Sequence, residues 1–211
     1  MRTRGMRTIA FITGNAHKVA EAAEILSGSG IRLRQVDLEL EEPQADDVGD
    51  VAKACALRGA SKLRGPVLVE DSGLFVSALG GFPGPYSSYV YRTIGNGGIL
   101  ALMGDRRNRA ARFVSAVAYS ADGKGARVFK GMTVGTISRN SRGRGGFGFD
   151  PIFVPRGCGN TFAELGLREK NLLSHRGKAF RALAQWLRDG TRQCGAEREQ
   201  KGYQSLSEAV R

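Results

Sequence analysis

The chain has 211 residues, 41% of them hydrophobic and 25% charged, the composition of an ordinary soluble globular protein with enough length to bury a core unaided. It carries 32 Lys and Arg against 20 Asp and Glu, a net charge of +12, but the arginines are spread along the chain and form no run that would mark a nucleic-acid stripe. No apolar run is long enough to span a membrane. Cys55, Cys158 and Cys194 lie far apart with no C-x-x-C pair, which excludes a disulfide framework and a zinc motif.

The basic start, MRTRGMRTIAF, lacks the apolar stretch and cleavage site of a signal peptide, so the expected location is the cytosol. Thr8 to Thr13 is a short apolar, β-branched run and predicts a buried strand. Lys18 to Leu26 places Val19, Ala22, Ala23 and Leu26 at helical spacing, and the Ser-Gly-Ser-Gly at 27–30 stops that helix. Ile31 to Leu38 alternates as a half-exposed strand. Acids crowd Asp37 to Asp50, Val51 to Leu63 predicts a second helix, and Val67 to Glu70 a short buried strand. Turns at Gly80 to Pro85 and short helices through Met103 follow. Ala110 to Ser120 and Arg127 to Ile137 read as a long hairpin turning at Asp122-Gly123. Phe149 to Val154 predicts one more strand, and Ser174 to Leu187 an amphipathic helix with Phe180, Leu183 and Leu187 on one face. The expectation is one α/β unit over 1–189, a mixed twisted sheet flanked by helices, in two lobes with the active-site cleft between them. Residues 190–211 read as a polar tail.

Gly143, Gly145 and Gly148 spell G-x-G-x-x-G, the dinucleotide fingerprint, but Asp150-Pro151-Ile152-Phe153-Val154-Pro155 follows where a helix must begin. The fingerprint is therefore incidental. The loop reads either as a glycine-shaped platform offering Phe147 or Phe149 to a base, or as a hairpin connection with one buried Phe. The first βα turn, Thr13-Gly14-Asn15-Ala16-His17-Lys18, offers a helix N-terminus suited to phosphate, or an Asn15 cap alone. Glu70 and Asp71 close an apolar strand where α/β proteins put their sites, and Glu39 to Asp47 supply further carboxylates, for a Mg²⁺ ion or as a solvated loop. Lys170, His175 and Arg176 group three donors within seven positions. Ser174 beside His175 does not make a triad, because adjacent helical residues do not face each other.

The series TGNAHK, EEPQAD, VLVEDSGL, LGGFPGPYSSYV, GFGFDPIF and TFAEL…EKNLLSHRGKA runs in order over residues 8–188. It closely resembles the inosine/xanthosine triphosphate pyrophosphatases, most of all their archaeal branch. The resemblance implies Mg²⁺-dependent hydrolysis of ITP, dITP and XTP to the monophosphate and pyrophosphate, clearing deaminated purines from the nucleotide pool. It implies that Thr13 to Lys18 hold the triphosphate, that Glu42 and Asp71 bind Mg²⁺, and that Asp71 takes the proton, with Glu70 beside it. It implies substrate contacts from Lys53, Ser72, Phe147, Gly148, Phe149, Asp150, Lys170, His175 and Arg176, with Phe147 stacked on the base, and a homodimer. The competing expectations are a related pyrophosphatase for pyrimidine or modified nucleotides, and a basic nucleic-acid-binding protein, which no helix-turn-helix, zinc-finger or RNP-like motif supports.

Overall fold

The computed structural model describes residues 7–189; the polar tail falls outside the described residues. Strand β1 (Arg7–Ile12) leads into helix α1 (Ala16–Ile25), then β2 (Ile31–Val36) and α2 (Val48–Leu63). Next come β3 (Val67–Val76), the two-residue β4 (Pro83–Gly84), α3 (Ser87–Thr93) and α4 (Gly95–Met103). The hairpin β5 (Ala110–Ser120) and β6 (Arg127–Ile137), then β7 (Phe153–Pro155) and α5 (Leu167–Leu173), precede a last helix, α6, over 175–189. The sheet runs β2-β1-β3-β5-β6-β7, with β4 beside β3. β2, β1 and β3 are parallel and the rest antiparallel, so the sheet is mixed, as expected.

Strand alternation sorts the core onto two faces. Ile9, Phe11, Leu68, Val117 and Tyr119 pack against α1 and α6. Their neighbours Ala10, Ile12, Val67, Val69, Ala116 and Ala118 pack against α2. After Val48 and Val51, α2 buries only Ala52, Cys55, Ala56, Gly59 and Ala60, and a Cβ on Gly59 would lie 2.3 Å from Ile12 Cδ1 of β1, so the helix lies close to the sheet. A third cluster gathers Leu74 and Val76 of β3, Val90 of α3, Ile99 and Met103 of α4, Phe113 of β5, Ile137 of β6 and Phe153 of β7. It forms the second lobe at the far ends of the long strands.

Beyond shifts of one or two residues at the ends of β1, α1 and β2, four elements differ from the sequence reading. α2 begins at Val48, because the Asp47 carboxylate accepts from the Gly49 N–H at 2.6 Å and caps it. β3 runs on to Val76: Glu-Asp-Ser-Gly looks like a turn, but Asp71 to Val76 pair in register with Ala116 to Ala111 of β5. Phe149 to Val154 is not one strand. Pro151 lacks an N–H and fixes its φ, so Asp150–Ile152 form a 3₁₀ turn and β7 starts at Phe153. The final helix is preceded by α5, and buried Ser174 breaks the two, its Oγ accepting from the Gly177 N–H at 3.0 Å. Ser174 is thus a cap, consistent with its exclusion as a nucleophile.

β6 touches the start of α6 backbone to backbone. A Cβ on Gly131 would lie 2.1 Å from the His175 carbonyl oxygen and 2.6 Å from the Ala179 nitrogen. Gly131→Ala should therefore lift α6 from the sheet and cost about 1–3 kcal/mol, lowering Tm by several degrees. Gly125→Ala, with nothing within 4 Å, should leave Tm near wild type. Equal melting of both variants would show that this close approach is not a constraint.

Candidate active site

A cleft of about 500 Å³ lies between the lobes. Its first wall is the β1–α1 turn. Thr13, Gly14, Asn15, His17 and Lys18 line it, and Ala16 sits in the same turn but outside the lining. The Asn15 side chain caps α1, accepting from His17 N at 2.9 Å and Lys18 N at 3.3 Å. Two first-turn N–H groups are thus already engaged, so the cap reading of Asn15 holds. The second wall is α3, with Ser87, Ser88 and Tyr91, and the floor carries Ser72, Phe113, Phe147 to Asp150, His175 and Arg176.

Behind the floor runs a chain of six buried or half-buried charges. Lys18 Nζ lies 2.9 Å from Glu70 Oε2 and also donates to the Glu70 carbonyl. Glu70 Oε1 accepts from Ser115 at 2.6 Å and sits 3.1 Å from Arg176 Nε. Arg176 donates to Glu21 Oε2 at 2.6 Å and to Ser72 Oγ at 3.0 Å. Glu21 Oε1 accepts from Lys170 Nζ at 2.6 Å, and Lys170 also donates to Asp150 Oδ2. Burial alone would raise the carboxyls of Glu70 and Glu21. For Glu70, Arg176 and Lys18 outweigh it and hold the acid well below the usual range. For Glu21, Arg176 and Lys170 do the same. At Asp150 burial wins, and its carboxyl lies above the usual range despite Lys170. Arg176 is held protonated by Glu70 and Glu21 against the cost of burial.

Asp150 also accepts from the Phe147 N–H at 2.8 Å, so the network grips the glycine-rich loop. The Phe147 ring has Lys170 Nζ 5.0 Å and Arg176 Cζ 5.1 Å from its centroid. Phe149, by contrast, is buried and packs edge-on against Tyr91. Lys170 is buried behind Phe147 and does not line the cleft. His175 stacks flat on Phe113, with centroids 4.5 Å apart. Burial, reinforced by Arg176, keeps it neutral, its pKa well below the ordinary value, and its Nδ1 has no hydrogen-bond partner.

Glu70 and Asp71 are neighbours in sequence but face opposite ways along β3. Glu70 and Ser72 share the Leu68 face with α1 and α6, while Asp71 shares the Val69 face with α2. Burial pushes the Asp71 carboxyl up to about 7; Lys18 pulls it down, and Glu70 and Glu42 push it further up. Glu42 is exposed on the loop before α2 and Lys53 exposed on α2 itself, and neither lines the cleft. Among the described residues no three His, Cys, Asp or Glu side chains form a metal cage. Two hard carboxylates in a locality that penalises negative charge nevertheless fit a Mg²⁺ ion whose remaining ligands are substrate oxygens and water.

Glu21 is the functional residue the sequence reading passed over. It lies three positions after Lys18 in a helix whose Ala-rich stripe is apolar, and an acid beside that stripe was the available signal. Ser115 and Phe113 carried no motif, and Ser87 and Ser88, inside LGGFPGPYSSYV, had no role assigned to them.

Removing Glu21 leaves Lys170 and Arg176 buried with one fewer carboxylate each. Glu21→Ala should cost about 3–5 kcal/mol in denaturant unfolding; a change below about 1 kcal/mol would mean the charges are not held as a set. His175 gives a pH signature. Its folded pKa is depressed, so it contributes stability above its unfolded pKa near 6.5 that is lost as pH falls through it, by up to about 1.4 kcal/mol per unit. Asp71 and Asp150, raised in the fold, act in the opposite sense on the acid side, so the wild-type minus His175→Gln difference isolates the histidine. That difference should shrink between about pH 7.5 and about pH 5.5; a constant difference would mean His175 titrates alike in the folded and unfolded chain, and a growing one that it is protonated in the fold.

Residues 9–186 match the model of the Ham1 family. The dITP/XTP pyrophosphatase of Hyperthermus butylicus is 48% identical over 182 residues, 86% of this chain and 95% of the relative. That of Pyrococcus horikoshii is 50% identical over 184 residues, 85% of this chain and 96% of the relative. Both sources are archaeal, in keeping with the branch the motifs resemble. The HAM1 protein structure from Coxiella burnetii superimposes with a TM-score of 0.78 at 30% identity, covering 87% of this chain and all of that one. The motif series and these matches agree, and the chain belongs to the Ham1 family.

Proposed function

We propose that the cleft hydrolyses the deaminated purine nucleoside triphosphates ITP, dITP and XTP to the monophosphate and pyrophosphate, by attack of water on the α-phosphorus. The observation that carries this reading is a single cleft joining an aromatic platform, Phe147, to a helix N-terminus bearing Lys18; Asp71 adjoins the cleft-lining Ser72 on β3 but stands outside the lining, on the α2 side. Relatives that are dITP/XTP pyrophosphatases, nearly half identical over almost their full length, support the same substrates.

Each group has a role that its surroundings suit. Thr13, Gly14, Asn15, Ala16 and Lys18 anchor the phosphates, with Lys18 as the point charge. Asp71, its carboxyl near 7, accepts the proton from the attacking water. Glu70 is poorly fitted to that task, because Lys18, Arg176 and Ser115 already occupy its carboxylate; it fixes Lys18 and Arg176 instead. Asp71 and Glu42 would hold Mg²⁺, which when bound neutralises phosphate charge. Lys53, on the same side as Asp71, reaches the polyphosphate from solvent.

Base choice rests on donors aimed at a 6-oxo group. Of the five N–H donors of a guanidinium, Arg176 spends two on Glu21 and Ser72, and its Nε is ion-paired to Glu70, which fixes its plane and leaves other N–H groups for substrate. A 6-amino group would meet donors with a donor, and such a mismatch in a buried site rejects a substrate by up to about 10⁴-fold or more. Under the same reading the enzyme works in the cytosol as a homodimer. No helix among the described residues is long and apolar enough to cross a membrane.

Purified protein incubated with ITP, XTP, dITP, GTP and ATP, with Mg²⁺ or EDTA, should release pyrophosphate from the deaminated purines only, spare ATP, and stop in EDTA. Asp71→Asn should lower kcat by about 10²-fold or more with Tm unchanged. Orthophosphate as product would indicate a phosphatase, and near-normal turnover by Asp71→Asn would remove the carboxylate from its assigned role.

A further inference from the structure

The stacking surface of Phe147 is not open. The His17 imidazole lies on it, centroids 5.3 Å apart and planes inclined by only 16°. A base inserted between the two rings would make two stacked contacts in series, each about 4.5 Å or more between centroids, and 5.3 Å holds only one. Either the base or His17 occupies that face.

The neighbours decide which group yields. Lys170 and Arg176, the other groups over the ring, are buried and tied to Glu21, Asp150 and Ser72. His17 is exposed, at the first turn of α1. Its backbone is pinned by the N–H to Asn15 Oδ1 bond at 2.9 Å, so the turn stays in place while the side chain changes rotamer. An exposed rotamer flip is fast and inexpensive.

We propose that His17 is a placeholder for the purine: its ring covers Phe147 in the free enzyme and the incoming base displaces it. The inference rests on the base-stacking role of Phe147 proposed above. It departs from the sequence expectation for His17, which put that residue with the triphosphate. The consequence is quantitative. A competitor for the platform lowers the apparent affinity of every base by the same factor, the fraction of enzyme with the face open. His17 therefore weakens binding of all nucleotides without altering which one is preferred, and it keeps an apolar face covered until a base with its own hydrogen bonds arrives.

The test is calorimetric binding of IMP, XMP and ribose 5-phosphate to wild type, His17→Ala and Phe147→Leu. Alanine is a strong helix former and keeps the capped N–H, so His17→Ala retains the fold. Losing one aromatic contact should tighten IMP and XMP by the same factor, about 2- to 10-fold, and leave ribose 5-phosphate, which has no base, unchanged. Unchanged or weaker IMP binding overturns the proposal. So does a gain confined to one of the two bases, which would mean His17 reads the base edge. So does an equal gain for ribose 5-phosphate, which would put His17 on the phosphate. Phe147→Leu separates this failure from a deeper one. If it binds IMP as wild type does, the stacking reading falls as well; if it weakens IMP while His17→Ala changes nothing, only the placeholder falls.

Discussion

The arrangement depends on three cations and three carboxyls set in alternation beneath the cleft: Lys18, Glu70, Arg176, Glu21, Lys170 and Asp150. Burying any one alone would cost several kcal/mol. Together they cancel, and each member is ion-paired with the next. They come from α1, β3, the 3₁₀ turn before β7, α5 and α6, so the network ties five segments drawn from positions 18 to 176. Such a set is weak as a source of net stability and strong as a source of geometry, because only one arrangement pairs every charge. It fixes the plane of Arg176, holds Lys18 at the β1–α1 turn, and through Asp150 and the Phe147 N–H sets the glycine-rich loop.

The same network explains how two adjacent acids acquire opposite characters. Glu70 and Asp71 share a strand, and the pleat alone sends them to opposite faces. On one face Glu70 meets two cations and a hydroxyl and stays ionised; on the other Asp71 meets burial and a further acid, and its carboxyl rises to about 7. One is thereby a structural anion and the other a group able to take up a proton, a division set by environment rather than residue type.

Much of this was legible in the sequence, and the limits have physical causes. The β5–β6 hairpin, β1, α1 and the α6 face were readable because their periodicities are unbroken. Phe147 and the SHR residues were readable through the motif series, since spacing by itself left Phe147 and Phe149 equivalent. What failed was whatever depends on a distant partner. β3 was cut short at Glu70 because a polar Glu-Asp-Ser-Gly stretch stays extended only when β5 lies alongside it. The strand over 149–154 was overdrawn because local hydrophobicity outweighed Pro151. Glu21 stayed hidden because a buried glutamate on a helix looks like an exposed one until its two cations, about 150 positions away, are seen to reach it.

Two lobes with separate cores give the cleft its use. The layered lobe supplies the charges and the β1–α1 turn, and the second lobe supplies Tyr91, Phe113 and the α3 hydroxyls. Phe113 belongs to both, with its ring in the second core and one face under His175. A neutral, stacked His175 offers an unprotonated or singly protonated edge to the cleft with no counter-charge to satisfy, whereas a protonated one would add a fourth cation to a balanced set. The apolar face of Phe113 thus does electrostatic work: by keeping His175 out of water it keeps the imidazole neutral, and so preserves the charge balance beneath on which the orientation of Arg176 depends.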